Sequence, residues 1–544
     1  MRLISTLAVS FIFLLFGPLP AAAQAPSAQW DRAFGGSAED RLSVVRQTAD
    51  GGYILGGASQ SGVSADKSQP SQGGFDYWVV KLDGTGAKTW DYTYGGTSED
   101  RLTSLQQTAD GGYILGGFSS SGASGSKTQP SRGGFDYWVV KLNAQGLKTW
   151  DFTFGGGIND RLAGVQQTAD GGYILGGQSD SGASGDKSQA GQGSLDYWLV
   201  KLDAAGAKVW DRSLGGISND ILNGVQQTTD GGYILGGFSY SGVSGDKSQP
   251  TFGSGDYDYW VVKVDATGTK QWDRTLGGTG FDNLTSIQQT ADGGYLAAGF
   301  SNSGVSGSKT QPSRGDFDNW LVKLSPTGIK QWDRTFGGDG YDSLNGLQQT
   351  ADRGYVFGSQ SNSSISGEKS ETNQGPANTP DFWAVKVDSA GTKQWDRTFG
   401  GTQDDVLTSL RQTADGGFIL GGFSNSGVSG NKTQAGRGNF DFWVVKLNPV
   451  RPSATRSSQA LPALELYPNP AHTTVTVQLP ATAPRTGLTV SLLDATGRLV
   501  WQRSATPAAD GRLTLPVGSQ TAGFYRLKIE NYAGYTQTQR LLLE

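Results

Sequence analysis

The stretch TADGGYILGGFS, from Thr108 to Ser119, places four glycines around a short apolar run, and the chain repeats it. A phosphate-binding loop is also rich in glycine, but it must follow a strand and open a helix whose amides face the anion. No helical periodicity follows these copies, and the glycine equivalent to Gly57 is Ser359 in the sixth copy. We therefore predict that the glycines are structural. The other copies begin at Thr48, Thr168, Thr228, Thr290, Thr350 and Thr413.

Two series of tryptophans recur in step with these copies, with a period of 60 residues that lengthens to 62 and 63 in two places. A fixed period of this length is the signature of a repeat architecture. The first series is Trp30, Trp90, Trp150, Trp210, Trp272, Trp332 and Trp395. The second series is Trp78, Trp138, Trp198, Trp260, Trp320, Trp383 and Trp443.

Each repeat carries four segments with the composition of β-strands, rich in β-branched and aromatic residues. In the second repeat they are LTSLQQT (102–108), GYILGGF (112–118), DYWVVKL (136–142) and KTWDFTF (148–154). The first two are joined through Asp-Gly, a strong hairpin signal. A polar loop of about sixteen residues joins the second segment to the third, and such glycine-bearing connections are typical of β-proteins. We name the strands a to d in order.

Seven units of four antiparallel strands predict an all-β fold, a seven-bladed β-propeller. The strand order resembles that of WD-repeat blades. The units also resemble kelch-like and other DGGY-type propeller repeats of secreted bacterial proteins. This resemblance covers about Gln29 to Leu447. In such a fold the glycines of strand b permit close backbone approach between blades, and both tryptophan series are predicted to lie between blades rather than to form sugar platforms.

The ends of the repeat region predict how the ring closes. The last unit stops after strand c, FWVVKL (442–447), whereas an unpaired strand, QWDRAF (29–34), precedes the first unit. A ring in which the N-terminal strand pairs beside Trp443 completes seven blades by the "velcro" closure familiar from propellers and removes two exposed sheet edges. The alternative, an open solenoid, does not need such phase-shifted ends.

Composition limits the chemistry. The 544-residue chain has no cysteine and a single histidine, His472, so Ser-His-Asp, Cys-His and His-rich zinc sites have almost nothing to be built from. The net charge of −5 comes without a basic run, which indicates no nucleic-acid partner. We expect no cofactor, no metal and a monomeric propeller.

The N-terminus indicates export. Residues 1–23 read as a signal peptide, with Arg2 as the positive region, Leu3–Phe16 as the apolar stretch and cleavage after Ala23. The alternative is an anchor helix, but the apolar stretch is shorter than the ~20 residues needed to cross a bilayer. No later segment is apolar for long enough, so we expect no transmembrane helix.

Candidate ligand contacts fall on the long b–c loops, because binding residues tend to sit on loops held by a rigid scaffold. Two further residues break the symmetry of the repeat, Asp256 in a lengthened loop and Arg353 in place of a glycine. A solvated fringe without a ligand is the alternative. Each loop carries one lysine: Lys67, Lys127, Lys187, Lys247, Lys309, Lys369 and Lys432.

Two aspartate series accompany every repeat, and they are predicted to bond backbone amides at strand entries. Metal or glycan binding is the alternative, but no calcium-loop spacing occurs. One series opens strand a: Asp40, Asp100, Asp160, Asp220, Asp282, Asp342 and Asp405. The other opens strand c: Asp76, Asp136, Asp196, Asp258, Asp318, Asp381 and Asp441.

The composition changes after Asn448. Residues 448–463 read as a Pro/Ser/Ala linker, and residues 464–544 carry about seven short strand signals, typical of an Ig-like β-sandwich. This tail resembles the type A C-terminal sorting domain of bacterial type IX secretion substrates; an ordinary Ig-like domain is the alternative. The matching residues are Tyr467, Pro468, Asn469, Pro470, Leu493, Asp494, Gly497, Arg498, Gly523, Phe524, Tyr525 and Lys528.

The resemblance implies Sec export and delivery across the outer membrane by the type IX machinery, with the cargo released or attached to surface lipopolysaccharide. We therefore expect an extracellular or surface-attached, non-enzymatic propeller that binds glycan or protein through its long loops. One alternative is a glycoside hydrolase-like enzyme using loop carboxylates such as Asp256, Glu368 and Glu371. The other is a purely structural surface protein.

Overall fold

The computed structural model describes residues 25–450, 464–480, 483, 485–495, 497–531 and 536–544, and these contain strands and turns but no helix. The predicted signal peptide with Ala23, and all of the predicted linker except Asn448, Pro449 and Val450, lie outside the described residues. Contacts divide the chain into two units, Met1–Pro452 and Ser453–Glu544, which are described separately.

The first unit consists of seven four-stranded antiparallel sheets, the blades. The N-terminal strand β1 (Ala28–Phe34) completes the seventh blade. Blades 1 to 3 comprise β2 (Asp40–Gln47), β3 (Tyr53–Ser59), β4 (Asp76–Leu82), β5 (Lys88–Tyr94); β6 (Asp100–Gln107), β7 (Tyr113–Ser119), β8 (Asp136–Leu142), β9 (Lys148–Phe154); β10 (Asp160–Gln167), β11 (Tyr173–Ser179), β12 (Asp196–Leu202) and β13 (Lys208–Leu214).

The remaining blades have the same order of strands a to d. They comprise β14 (Asp220–Gln227), β15 (Tyr233–Ser239), β16 (Asp258–Val264), β17 (Lys270–Leu276); β18 (Asp282–Gln289), β19 (Tyr295–Ser301), β20 (Asp318–Leu324), β21 (Lys330–Phe336); β22 (Asp342–Gln349), β23 (Tyr355–Ser361), β24 (Asp381–Val387), β25 (Lys393–Phe399); β26 (Asp405–Gln412), β27 (Phe418–Ser424) and β28 (Asp441–Leu447).

The predicted closure is confirmed. β1 pairs antiparallel with β28, with Trp30 opposite Lys446 and Phe34 opposite Phe442, so the ring has no free edge at the join. Just outside the paired strands, the amide of Asn448 donates to the carbonyl of Ser27 at 2.9 Å. The chain therefore forms the predicted seven-bladed β-propeller.

Strands b and c are buried on both faces because each lies between two neighbouring blades, and their sequences are correspondingly mostly apolar. The strand-c tryptophans are fully buried, as predicted. The predicted role of the glycines is also confirmed: a Cβ on Gly116 would lie 2.5 Å from Cδ2 of Leu162 in the next blade. Gly111, in the a–b turn, has φ 80°, which a side chain disfavours.

Every blade is also hydrogen-bonded to the next through its a–b turn. The backbone amide of Ala109, for example, donates to Oε1 of Gln167 at 2.8 Å. The same bond crosses the closing seam, where the amide of Ala414 donates to Oε1 of Gln47 at 2.8 Å. The ring of bonds around the axis is thus complete.

The second unit has seven strands in two sheets, which agrees with the predicted β-sandwich. One sheet has the order β29-β30-β33 and the other β32-β31-β34-β35, and a single apolar core contains Val477, Leu492 and Leu527. The strands are β29 (Glu465–Tyr467), β30 (Thr474–Gln478), β31 (Leu488–Asp494), β32 (Leu499–Ala505), β33 (Arg512–Pro516), β34 (Gly523–Asn531) and β35 (Thr536–Leu543).

Candidate functional site

The antiparallel order gives the propeller two different faces. The b–c loops and the d–a connections emerge together on one side, which we call the long-loop face. The a–b and c–d turns emerge on the other side, which we call the short-turn face. The face on which a residue lies decides whether it can join a given site.

The loop lysines do not lie where the sequence led us to expect them. All seven are 1–2 % exposed, so none is available to a ligand at the surface, and the prediction that they are ligand contacts is wrong. Each b–c loop folds back over its blade: the ammonium of Lys67 donates to Oγ1 of Thr93 at 2.6 Å and to the carbonyl of Gln69 at 2.8 Å. These bonds satisfy the ammonium inside the blade.

Each buried lysine lies near the two aspartates of its own blade. Burial lowers the pKa of Lys67 to about 8, while the charges of Asp40, Asp76 and Asp91 act in the opposite direction. Both strand-entry aspartates accept backbone hydrogen bonds, as predicted: Gly36 donates to Oδ2 of Asp40 at 2.7 Å and Gln72 donates to Oδ2 of Asp76 at 2.5 Å. The loop and the strands are thereby held together by buried hydrogen bonds.

The strand-c aspartate of each blade also lies close to the strand-a aspartate of the next. Burial raises the pKa of Asp76 to about 7, and the charge of Asp100 raises it further. The same electrostatic contact joins Asp40 to Asp441 across the seam. Aspartate pairs and lysines therefore alternate around the whole ring, and we call this arrangement the aspartate–lysine belt.

The belt is closed to ligands. Its fourteen aspartates are 0–1 % exposed, and the Oδ1 atom of each has no hydrogen-bond partner among the residues that the structure describes. Within the described residues, no cluster of three or more His, Cys, Asp or Glu side chains could hold a metal ion. Two carboxyls that face one another in a dry junction satisfy each other best when they share a proton.

Of the two symmetry-breaking candidates, one lies on the expected face and one does not. Asp256 is half-buried at the end of the b–c loop of blade 4, on the long-loop face. Arg353 lies in the a–b turn of blade 6, where its amide donates to the carbonyl of Thr350 at 2.9 Å. It is therefore on the short-turn face, and its prediction as a long-loop contact is wrong because the glycine it replaces belongs to the hairpin turn.

A cluster of aromatic rings occupies the long-loop face at blades 4 to 6. In its first part, Tyr257 lies 4.6 Å from Phe238, 5.0 Å from Tyr240 and 5.0 Å from Phe281, between ring centroids. Burial raises the pKa of the Tyr240 phenol, and the nearby charge of Asp256 raises it further. Asp256 therefore borders this cluster.

The second part of the cluster belongs to the next two blades. Phe317 lies 5.6 Å from both Phe300 and Tyr341. Burial raises the pKa of Tyr257, and the phenols of Tyr240 and Tyr341 contribute, which places the two parts near each other. We call the seven rings the aromatic patch: Phe238, Tyr240, Tyr257, Phe281, Phe300, Phe317 and Tyr341.

Sequence reasoning missed the aromatic patch, although a signal was present. Tyr240 occupies a position held by Ser120 in blade 2 and Asn302 in blade 5, and Phe281 one held by Glu99 and Asn219. Aromatic residues at positions that are polar elsewhere in the repeat mark a local departure from the common structural plan. The lysines were predicted as ligand contacts because each long loop carries one. Residues that all repeats share in this way are more often structural.

In the second unit, several residues of the sorting motif stabilise turns and edges. The side chain of Asn469 donates to the carbonyl of Arg540 at 3.1 Å and accepts from the amide of Leu542 at 2.8 Å. Gly497 has φ 90° in the turn where the amide of Arg498 donates to Oδ1 of Asp494 at 3.0 Å. The hydroxyl of Tyr525 donates to the carbonyl of Thr521 at 2.9 Å.

Several known proteins are similar to parts of this chain. A protein of Caulobacter vibrioides named "Regulatory protein FlaEY" is 24 % identical over 292 residues, which is 49 % of this chain; the chain spans 30 % of that relative's length. The Neurospora crassa Pan2 WD40 domain is 10 % identical with a TM-score of 0.41, covering 77 % of this chain and 91 % of that one. A protein of unknown function from Dyadobacter fermentans is 12 % identical with a TM-score of 0.39, covering 78 % and 99 %.

The closed ring of seven four-stranded blades defines the class of the first unit, a repeat β-propeller. Residues 465–544 match the family described as "Secretion system C-terminal sorting domain". The second unit is therefore a type IX secretion sorting domain, and it indicates that the protein is exported. A search of the described residues found no helix with the length and hydropathy of a membrane span.

Proposed function

We propose that this protein is a non-enzymatic, surface-attached or released propeller that binds glycan through its long-loop face. The observation that carries the proposal is the aromatic patch. It lies on the face where the variable loops converge, and Tyr240 within it is 37 % exposed. Ring faces bury apolar area without desolvating a charge, which suits the C–H faces of sugars.

The surroundings of the patch supply polar groups as well. Asp256 borders it, and the side chain of Asn283 acts to lower the pKa of the Tyr257 phenol against the effect of burial. Elsewhere on the face the equivalent rings are covered by arginines; the guanidinium of Arg161 lies 4.9 Å from the ring of Phe135. Rings flanked by a few polar side chains are typical of small-molecule sites, where apolar walls give affinity and polar groups give orientation.

The loop carboxylates favour a binding function over glycoside hydrolysis. Glu368 forms an ion pair with Arg314 at 2.5 Å, and Glu371 forms one with Arg397 at 3.0 Å. Hydrolysis needs two carboxylates that flank an accessible bond with differently tuned pKa values. The facing pairs of this protein, in the aspartate–lysine belt, are buried, and these two loop glutamates already neutralise arginines.

A protein partner on the same face is the second candidate, favoured by one specific observation. The tips of five b–c loops present aliphatic side chains that are 59–65 % exposed: Val63, Val243, Val305, Ile365 and Val428. Exposed apolar side chains repeated around one face are typical of protein-binding surfaces. A protein would contact this outer ring, whereas a glycan would contact the aromatic patch.

Binding of the purified full chain to a glycan array, followed by titration of the best glycan, tests the proposal. The double variant Tyr240→Asn/Phe281→Asn uses the residues found at Asn302 and Asn219, so the fold is retained, and we expect it to lose at least about tenfold in affinity, or about 1.4 kcal/mol. The control is Phe118→Gln, which introduces the residue found at Gln178 of blade 3 and removes, outside the patch, a ring at the repeat position of Phe238.

Three outcomes separate the candidates. Equal glycan affinity in the wild type and the double variant would overturn the aromatic patch as the site. Ala stands at the equivalent positions Ala123 and Ala183, so Val243 and Val305 can be changed to Ala. If only this change abolishes binding, the protein partner is favoured. Cleavage of a polysaccharide by the purified chain would overturn the non-enzymatic function.

A further inference from the structure

The seven blades enclose an axial channel lined by their strands a, with a cavity of about 460 Å³. Strand a contributes two side chains per blade that reach the channel, one near its middle and one near the short-turn face. The lining contains serine, threonine, asparagine, glutamine and arginine side chains, but no aspartate or glutamate. Such a polar cavity is large enough for a small ligand.

The side chains near the middle of the channel are mostly engaged in joining the blades. The hydroxyl of Thr103 donates to the carbonyl of Leu162 at 2.9 Å, and the hydroxyl of Thr408 donates across the seam to the carbonyl of Leu42 at 2.9 Å. Ser43, Asn223, Thr285 and Asn345 make the same kind of bond. This layer is structural.

The layer near the short-turn face differs. In five blades it is a glutamine whose Oε1 accepts from a backbone amide of the next blade; Gln167, for example, donates to Oε1 of Gln106 at 2.8 Å. Because only the oxygen can accept from an amide, this bond fixes the orientation of the side chain and leaves Nε2 to the channel. The other four glutamines do the same: Gln166, Gln226, Gln288 and Gln348.

Their Nε2 groups have no acceptor among the described residues. Each is a donor that can give hydrogen bonds and cannot receive them. Five amide groups therefore line the channel at one level, all with the same polarity. A set of donors only is complementary to a ligand that presents only acceptors.

The two remaining blades, which meet at the closing seam, carry arginines at this position. Arg411 donates from Nη1 to the carbonyls of Leu347 and Leu410, at 2.9 and 2.7 Å. The side chain of Arg46 makes no hydrogen bond within the described residues, and its Nη1 is buried without a partner there. A buried donor of this kind costs free energy unless a ligand satisfies it. We call these seven side chains the donor ring: Arg46, Gln106, Gln166, Gln226, Gln288, Gln348 and Arg411.

The two guanidinium groups are close enough to oppose each other. Burial lowers the pKa of Arg46 to about 10. Burial also lowers the pKa of Arg411 well below its usual range, and the charge of Arg46 lowers it further. Two like charges in a channel that lacks a carboxylate are an unfavourable arrangement in the empty protein, and a bound anion would reverse it.

We infer that the donor ring binds an oxyanionic group, a carboxylate, sulfate or phosphate, that enters the channel from the short-turn face. The arginines provide charge-assisted bonds to the oxyanion, and the amides bond further oxygens of the ligand. This site is independent of the aromatic patch, because it lies at the opposite end of the strands a. The inference about the donor ring therefore does not depend on glycan binding at the long-loop face.

The test compares anions with a chloride reference on the full chain, by calorimetry and thermal melting, at matched ionic strength. The probes are inorganic sulfate, inorganic phosphate and glucuronate, which separate the three oxyanions. The test variant is Arg46→Gln/Arg411→Gln, which installs the residue present in the other five blades. The control is Arg161→Asn, which removes a positive charge away from the channel and uses the residue at Asn283.

We expect at least one probe to bind the wild type and Arg161→Asn, and to bind the double variant at least about tenfold more weakly. We also expect a higher melting temperature for the double variant in chloride, because two opposing buried charges are gone. Sulfate stabilises proteins in general, so only the difference between variants at equal salt counts.

The inference would be overturned if no probe bound the wild type, or if all three proteins responded equally. Single Arg46→Gln provides a second route if the double variant does not fold. It retains Arg411 with its two carbonyl partners and removes only the unpartnered guanidinium, and we expect it to lose most of the response.

Discussion

The indole N–H of Trp443 donates to Oδ2 of Asp31 at 3.1 Å, across the 412 residues that separate them in the chain. In every other blade the equivalent bond joins residues only 13 apart in the chain, as between Trp138 and Asp151, also at 3.1 Å. The amide of Thr433 in the long loop of blade 7 donates to the same oxygen of Asp31, at 2.9 Å. The first described strand therefore takes a place in the seventh blade that is chemically the same as in the other six.

Deleting residues 28–34 should lower the thermal stability of the whole propeller and promote aggregation. The deletion removes one strand of backbone bonds, at about 1 kcal/mol net each, leaves the indole of Trp443 unsatisfied and exposes the edge of β28. Differential scanning calorimetry and light scattering of the full-length variant measure both effects.

A rescue variant provides the control for that deletion. The deleted strand is placed after Leu447 through the link Asn143–Leu147, so that blade 7 is built like the others. We expect the melting temperature to return toward that of the wild type. An unchanged melting temperature after the deletion alone would contradict the closed ring.

Strand identities and closure could be predicted because each rests on a periodic signal. The segments predicted for 136–142 and 148–154 coincide with β8 and β9, whereas β6 begins at Asp100, two residues before its predicted start. The first tryptophan series begins one strand before the first repeat, and the last repeat ends one strand early. This offset indicated the closure of the ring. Repetition makes such inferences secure, since one misread copy is corrected by six others.

The packing between blades 5 and 6 predicts a coupled pair of substitutions. A Cβ on Gly117 would lie 2.0 Å from the carbonyl oxygen of Arg101 in its own blade and 2.5 Å from the hydroxyl of Tyr77 in the preceding blade. At the equivalent junction the tyrosine is Asn319 and the glycine is Ser359, and Nδ2 of Asn319 donates to Oγ of Ser359 at 3.1 Å. The smaller side chain on one strand makes room for the larger one on the other.

We therefore expect Gly117→Ser alone to destabilise the protein by about 1–3 kcal/mol, as overpacking usually does. Tyr77→Asn alone also costs stability, because the buried hydroxyl of Tyr77 donates to the carbonyl of Trp138 at 3.0 Å. The double variant Gly117→Ser/Tyr77→Asn should therefore lose less stability than the sum of the two single changes and give a favourable coupling in a double-mutant cycle. Denaturant unfolding of the four proteins measures it. Strictly additive effects would mean that the two residues do not share the space.

The aspartate–lysine belt predicts that stability falls as the pH rises from about 4 to 7.5. The pKa values of Asp76, Asp258 and Asp381 are raised to about 7, chiefly by burial, whereas the ordinary aspartate pKa is near 3.8. The folded protein therefore holds these protons where the unfolded chain has released them, and this contribution is full below pH 4 and lost above pH 7. We expect the melting temperature to be several degrees higher at pH 5 than at pH 7.5.

A second group of carboxyls limits the effect at lower pH. Hydrogen bonds from Thr108 and Lys141 help to hold the pKa of Asp110 at about 2, against the effect of burial, so its contribution is lost as the pH falls below 4. Asp76→Asn mimics the protonated carboxyl and should reduce the pH dependence while stabilising the protein at pH 7.5. A melting temperature that rises from pH 5 to pH 7.5 would contradict the belt.

The candidate sites were harder to predict than the fold for a physical reason. A sequence shows that Lys67 lies in a long polar loop but not that the loop folds back to bury its ammonium. Arg46 and Arg411 replace a glutamine found in the other five repeats, but strand a alone does not show that they meet across a seam formed by the two ends of the ring. Sites built by closure become visible only in three dimensions.

The turn at Arg353 allows one substitution that should raise stability. Arg353 has φ 65°, in the left-handed region that side chains disfavour, and the six equivalent residues, among them Gly111 and Gly416, are glycines with positive φ. Arg353→Gly removes that strain at the cost of a more flexible unfolded chain, so we expect a net gain of about 0.5–1 kcal/mol. The reverse change, Gly416→Arg, should destabilise by a similar amount, and denaturant midpoints measure both. Because Arg353 is exposed and makes only backbone bonds at this turn, a loss of stability in Arg353→Gly would show that its side chain has a role beyond the turn.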